Sequence, residues 1–164
     1  VDDKMVYILR RMALYIELED KSDYTGSCFD ELDAMLTDLK KEALRYMNNH
    51  LITEDDSYYA YMMMRAGQCN ILKRIYADII RMTATTEQGR KLADFIRKTA
   101  ENFAEKNDVS PLLEELKQLH SYYEKQELPI TRQEFENRSM LYHILEDMKV
   151  FLEIKKEFME TRII

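Results

Sequence analysis

The sequence predicts an all-α fold: an antiparallel bundle of four long helices, with a shorter helical pair inserted before the last. Three observations carry this. Only 3 Gly and 2 Pro occur among 164 residues, too few for the many turns of a sheet-rich fold. Apolar residues recur at spacings of three and four over long stretches. Helix-start signatures stand at intervals along the second half of the chain, as Thr85-Thr86-Glu87-Gln88, Ser110-Pro111 and Thr131-Arg132-Gln133-Glu134.

The elements follow in order. Met5, Ile8, Leu9, Met12, Tyr15 and Ile16 line one face of a first helix over Asp3 to Asp20, closed by the polar stretch Lys21 to Gly26. A second helix starts at a Ser27 cap, with Asp30 and Glu31 suited to the partial positive charge of its first turn. Its stripe is Phe29, Leu32, Met35, Leu36, Leu39, Ala43 and Met47, and Asn48-Asn49-His50 ends it. A third helix is capped by Thr53, with Asp55 and Asp56 behind it, and runs to Met82. Apolar residues on nearly all its sides predict a central helix touched by several others. The fourth helix carries Leu92, Phe95, Ile96, Thr99 and Phe103; the fifth, capped by Ser110, carries Leu112, Leu113, Leu116, Leu119 and Tyr123. The sixth runs from the Thr131 box to Glu160, with a stripe of Phe135, Leu141, Tyr142, Leu145, Met148, Leu152 and Met159. Residues 1–164 fit one domain by size.

Composition removes several function classes. A formal net charge of −7 repels nucleic-acid phosphates and anionic lipid, so no nucleic acid is expected as a partner. No run approaches the ~18 apolar residues of a membrane span. Cys28 and Cys69 lie too far apart for a zinc motif or redox pair, and Cys69 reads as a small core residue in a reducing compartment. Di-iron bundles need Glu-x-x-His, yet Met47, Lys117 and Met140 stand three residues before His50, His120 and His143. No metal or other cofactor is expected. His143 reads as a half-exposed histidine and His120–Glu124 as a surface pair. No nucleophile elbow or glycine-rich phosphate loop occurs, so no catalytic residue and no enzyme is expected.

Methionine and tyrosine are abundant, with 11 of each, and consecutive Met62, Met63 and Met64 must face different ways on a helix. Two arginines stand inside apolar stripes. Arg65 lies among Tyr58, Met62 and Cys69; Arg138 lies among Phe135, Leu141 and Tyr142. A charge on an apolar face must be paired or reach water. One reading is an internal salt bridge to Asp30, Asp33 or Glu136. The other is a ligand site in which Arg65 and Arg138 fork a carboxylate while Tyr58, Met62 and Tyr142 surround its ring.

The run Glu127-Leu128-Pro129-Ile130-Thr131-Arg132-Gln133-Glu134-Phe135-Glu136-Asn137-Arg138, with Leu141 to Asp147 and Phe151-Leu152 after it, resembles the C-terminal end of the aromatic acid exporter family of bacterial membrane proteins. Tyr24-Thr25-Gly26-Ser27-Cys28-Phe29-Asp30-Glu31-Leu32 is similar to the same family. The resemblance implies a soluble helical domain that follows a membrane-spanning N-terminal half. This chain would then be a fragment on the cytoplasmic face of the bacterial inner membrane, with Lys4, Arg10 and Arg11 near the last span. Its expected role is regulation or ligand sensing for the exporter. The partners so implied are its own membrane half, a second copy in a homo-oligomer, and a small aromatic carboxylate. The alternative is a structural interaction module that binds no ligand.

Overall fold

The computed structural model describes residues 1–49, 57–104 and 107–161. Among the described residues it holds six helices and no strand. They are α1 (Asp2–Ile16), α2 (Ser27–Asn49), α3 (Ser57–Ile79), α4 (Glu87–Glu101), α5 (Ser110–Glu124) and α6 (Arg132–Thr161). The Thr53 cap and the acids behind it lie outside the described residues.

The lengths divide three and three, which corrects the expected quartet of long helices. α2, α3 and α6 run 23, 23 and 30 residues, whereas α1, α4 and α5 run 15 each. α1 stops at Ile16, four residues early. Glu17, Glu19 and Asp20 would set three negative charges at the negative end of the helix dipole, and Leu18 is exposed, so nothing rewards continuation.

Helix starts follow local chemistry. Thr86, one position later than expected, caps α4 by accepting from the Gly89 N–H at 3.0 Å. At α6 the Thr131 hydroxyl accepts from Glu134 N at 3.1 Å, and the Glu134 carboxylate reaches back to Ile130 N at 2.9 Å. Ser110 lies inside α5 and not at its cap; Asp108 accepts from the Ser110 N–H at 3.0 Å.

One core joins all six helices, with Phe29, Leu32 and Leu36 contributed by α2. Met5, Ile8, Leu9 and Met12 of α1, Leu72, Ile75 and Ile79 of α3, Leu92 and Ile96 of α4, and Ile144 and Met148 of α6 are buried within it, with Leu112 and Leu116 of α5 behind them. α1 packs chiefly on α4, and α3 packs on α6, α2 and α1, as a centrally placed helix should. Where the first three helices meet, Tyr15 stacks on Tyr24 at a centroid separation of 4.1 Å and Tyr24 meets Tyr76 edge-on at 4.8 Å. Three stripe residues depart from expectation. Met35, Met47 and Phe135 are exposed. The last buried residue of α2 is Ala43, and Phe135 lies on the first turn of α6.

Candidate functional site

The seam between α3 and α6 carries most of the buried polar chemistry. Going up α3, the Gln68 amide donates to the Phe151 carbonyl at 3.0 Å, Arg74 donates to Asp147, Asp78 pairs with His143 Nδ1, and Thr83 N donates to the Asn137 side chain at 3.0 Å. Each step up α3 meets a step down α6, so the two helices run antiparallel. α3 offers Arg74 and Asp78 four residues apart, and α6 offers His143 and Asp147 at the same spacing, which places each pair on one helix face.

The middle of this seam is a compact group of titratable side chains. One ligand-capable atom each from Asp78, His143 and Asp147 lies within 4.8 Å of the others. Asp147 is 2% exposed, while the His143 side chain is 57% exposed. The group is therefore closed on the core side and open to water on the other. Asp147 Oδ1 accepts from Arg74, but Asp147 Oδ2 is buried with no hydrogen-bond partner. Burial pushes the Asp147 carboxyl above the ordinary range; Arg74 and His143 pull it down, and Asp78 adds to the rise. Nitrogen and carboxylate donors of this kind suit a first-row divalent metal. The spacing of His143 and Asp147 is visible in the sequence. Asp78 joins them only through the register of α3 on α6, which a search for Glu-x-x-His does not meet.

The five residues expected to form a ligand site are not brought together. Arg65 is fully buried. Its Nε and Nη2 donate to the two carboxylate oxygens of Asp2 at 2.9 and 3.3 Å, and its Nη1 donates to Gln68 at 2.7 Å. The Phe103 ring stacks on the guanidinium at 4.3 Å. Its carboxylate partner is thus Asp2, and not Asp30, Asp33 or Glu136; Asp33 is held instead by Lys73 at 2.8 Å. Arg138 donates to the Glu127 carbonyl, at the opposite end of the seam. By the antiparallel register it sits near the level of Met82, about 25 Å along α3 from Arg65 at 1.5 Å per residue. Tyr58 is exposed, with its hydroxyl donating to Glu42 at 2.9 Å, and Met62 is buried. Tyr142 packs edge-on against His120 and Tyr123, at 5.7 and 5.5 Å.

A groove of about 470 Å³ lies between α5 and α6, beside His120. Leu113, Leu116 and Leu145 form its apolar part, and Lys117, Lys149 and Lys156 stand among its rim residues with Glu114, Glu146 and Glu153. Its size falls in the ~300–1,000 Å³ range of small-molecule sites. Among the described residues neither Lys117 nor Lys149 forms an ion pair, whereas Lys156 lies near enough to Asp108 to help lower its carboxyl.

The family described as "Putative aromatic acid exporter C-terminal domain" matches residues 1–156. The chain belongs to this family. The chain is 30% identical over 158 residues to the uncharacterized protein YqjA of Bacillus subtilis (strain 168), covering 96% of this chain and 49% of that protein. The chain therefore spans about half the length of the relative it matches. Its fold matches a crystal structure titled as a putative membrane protein from Clostridium difficile 630, with a TM-score of 0.83 and 26% identity, over 97% of this chain and 92% of that one. Within the domain, no described helix is long and apolar enough to cross a membrane.

Proposed function

We propose that this chain is the ligand-sensing, regulatory domain of a bacterial aromatic-acid-exporter-like membrane protein. It acts from the cytoplasmic face of the inner membrane on an N-terminal membrane-spanning half. Membership of an exporter C-terminal family and a relative about twice as long support that organisation. The observation that carries the sensing role is the α5/α6 groove, where unpaired lysines stand over leucines. An aromatic carboxylate matches such a site: the ring covers Leu113, Leu116 and Leu145, and its charge meets Lys117 or Lys149. Tyr142 lies at the edge, held by His120. Arg65, with its donors taken by Asp2 and Gln68, serves as scaffold beneath this site and not as a ligand fork.

A thermal-melt screen with benzoate and 4-hydroxybenzoate, against acetate and hexanoate, tests the proposal. Ligand at 100 times its Kd adds about 2.7 kcal/mol. That is a shift of roughly 5–10 °C for a domain of this size. A shift confined to the aromatic acids and lost in Lys149→Gln and Lys117→Gln supports sensing. A flat response across the panel refutes it.

One observation favours the second reading, an interaction module. Leu128, Ile130 and Phe135 are 87%, 90% and 61% exposed, an apolar patch at the α5–α6 junction. Sedimentation over a wide concentration range tests self-association, and Ile130→Glu should abolish any dimer that uses this patch.

A further inference from the structure

We propose that Asp78, His143 and Asp147 form a metal site that binds one first-row divalent transition-metal ion of the zinc class, clamping α3 to α6. Two independent features point to a ligand. The first is the convergence of one imidazole and two carboxylates from two helices, with donor atoms within 4.8 Å of one another. Ligands around a tetrahedral ion lie roughly 3.4 Å apart, given bonds of about 2.0–2.2 Å. His143 Nδ1 and an Asp78 oxygen are closer than that because they are hydrogen-bonded to each other, so an ion enters by replacing the shared proton, and the exposed His143 ring is free to move out to the ligand spacing. The second feature is Asp147 Oδ2. It is a buried carboxylate oxygen with no hydrogen-bond donor, on a side chain 98% removed from water that itself belongs to the three-residue group. A lone pair kept in that state costs free energy, and a cation is the partner that would repay it.

The donor set also selects the ion. Mg²⁺ and Ca²⁺ prefer oxygen-only shells, whereas imidazole with carboxylates suits zinc and its neighbours. His143 and Asp147, four apart on α6, supply two ligands from one face, and Asp78 supplies the third across the seam. The solvent-facing side of His143 leaves room for water as the fourth ligand. Arg74 is the resident competitor: its guanidinium holds Asp147 Oδ1 while its own side chain is 56% exposed and can swing into water. The site is distinct from the α5/α6 groove, and its test does not depend on any organic ligand.

The experiment is a zinc titration of the chain against a chromophoric chelator, repeated for His143→Gln, Asp147→Asn, Arg74→Gln and His120→Gln, with far-UV circular dichroism confirming folding of each. The proposal expects one zinc per chain. It expects at least tenfold weaker binding in His143→Gln, whose ring is exposed and whose loss leaves the core intact, and the same in Asp147→Asn. Arg74→Gln should bind more tightly, because the competing cation is gone. Millimolar Mg²⁺ should not displace the zinc. The absence of stoichiometric binding overturns the proposal, as does zinc that survives His143→Gln. Binding that is lost with His120→Gln also overturns it, since the surface pair His120–Glu124, 3.1 Å apart, would then be the binder.

Discussion

Replacing Arg65 by methionine separates an internal anchor from a ligand fork, and the structure sets the size of the effect. Methionine keeps much of the length and apolar contact of the arginine stem while removing the guanidinium. Asp2 is 35% exposed, so water takes over part of what Arg65 gave it. Gln68 has no such relief. It is fully buried, and its Oε1 loses the donor that now stands 2.7 Å away. An orphaned buried acceptor costs about 1–3 kcal/mol. Loss of the charged bonds to Asp2 costs a further ~1.5–3 kcal/mol, offset in part because no charge need be desolvated any longer. The net destabilisation is about 2–4 kcal/mol, which lowers Tm by roughly 5–15 °C. Urea unfolding followed by far-UV circular dichroism measures it. The companion variant Arg65→Met/Gln68→Met leaves no orphan, and should recover at least ~1 kcal/mol over the single change. The groove, and with it any shift from benzoate, should persist in both. A single variant within ~0.5 kcal/mol of the parent would refute the anchor argument and return Arg65 to the list of ligand-binding candidates.

Two further outcomes follow from the same accounting. Asp147→Asn should raise stability at pH 7 by about 1 kcal/mol, because an amide carries no charge to desolvate and Arg74 is free to reach water. The folded-state pKa of Asp147 is raised, so the native protein binds this proton more readily than the unfolded chain does. The parent therefore gains stability as pH falls through that raised value toward the unfolded carboxyl range, and the advantage of the variant should shrink over the same window. Parallel urea titrations at neutral and acidic pH read both effects; an advantage that grew on acidification would contradict the assignment. Thr86→Ala should cost about 1 kcal/mol by removing the acceptor for Gly89 N–H at the start of α4, and an unchanged urea midpoint would show that this cap contributes nothing.

Much of the architecture was legible in the sequence, because an amphipathic helix writes its period locally. The stripe Met5, Ile8, Leu9 and Met12 is buried as spaced, Cys69 is a core residue, and the Thr131 box forms with its reciprocal bond reaching Ile130. What was not legible depends on which surfaces meet. Phe135 and Met47 fit their stripes by spacing, yet no neighbouring helix reaches them. The end of α1 turned on an unfavourable run of acids against the helix dipole, a weaker signal than the apolar period that precedes it. Arg65 was recognisable as a buried charge that must be paired. Its partner Asp2, 63 positions away, was not, because nothing local links α1 to α3. The Asp78–His143–Asp147 group has the same origin: half of it is an i,i+4 pattern and half is the register of two long helices.

That register has a consequence for how the domain can move. Four polar links hold this seam, three from α3 through Gln68, Arg74 and Asp78 and a fourth from Thr83 just past its end, at intervals of four to six residues. Each pairs a particular donor with a particular acceptor: Gln68 with a backbone carbonyl, and the other three with the side chains of Asp147, His143 and Asn137. Sliding one helix past the other by a turn, about 5.4 Å, would break all four together. Shear along this seam is therefore costly. Any rearrangement that keeps these links intact carries α3 and α6 together as one beam, with the other helices shifting against it.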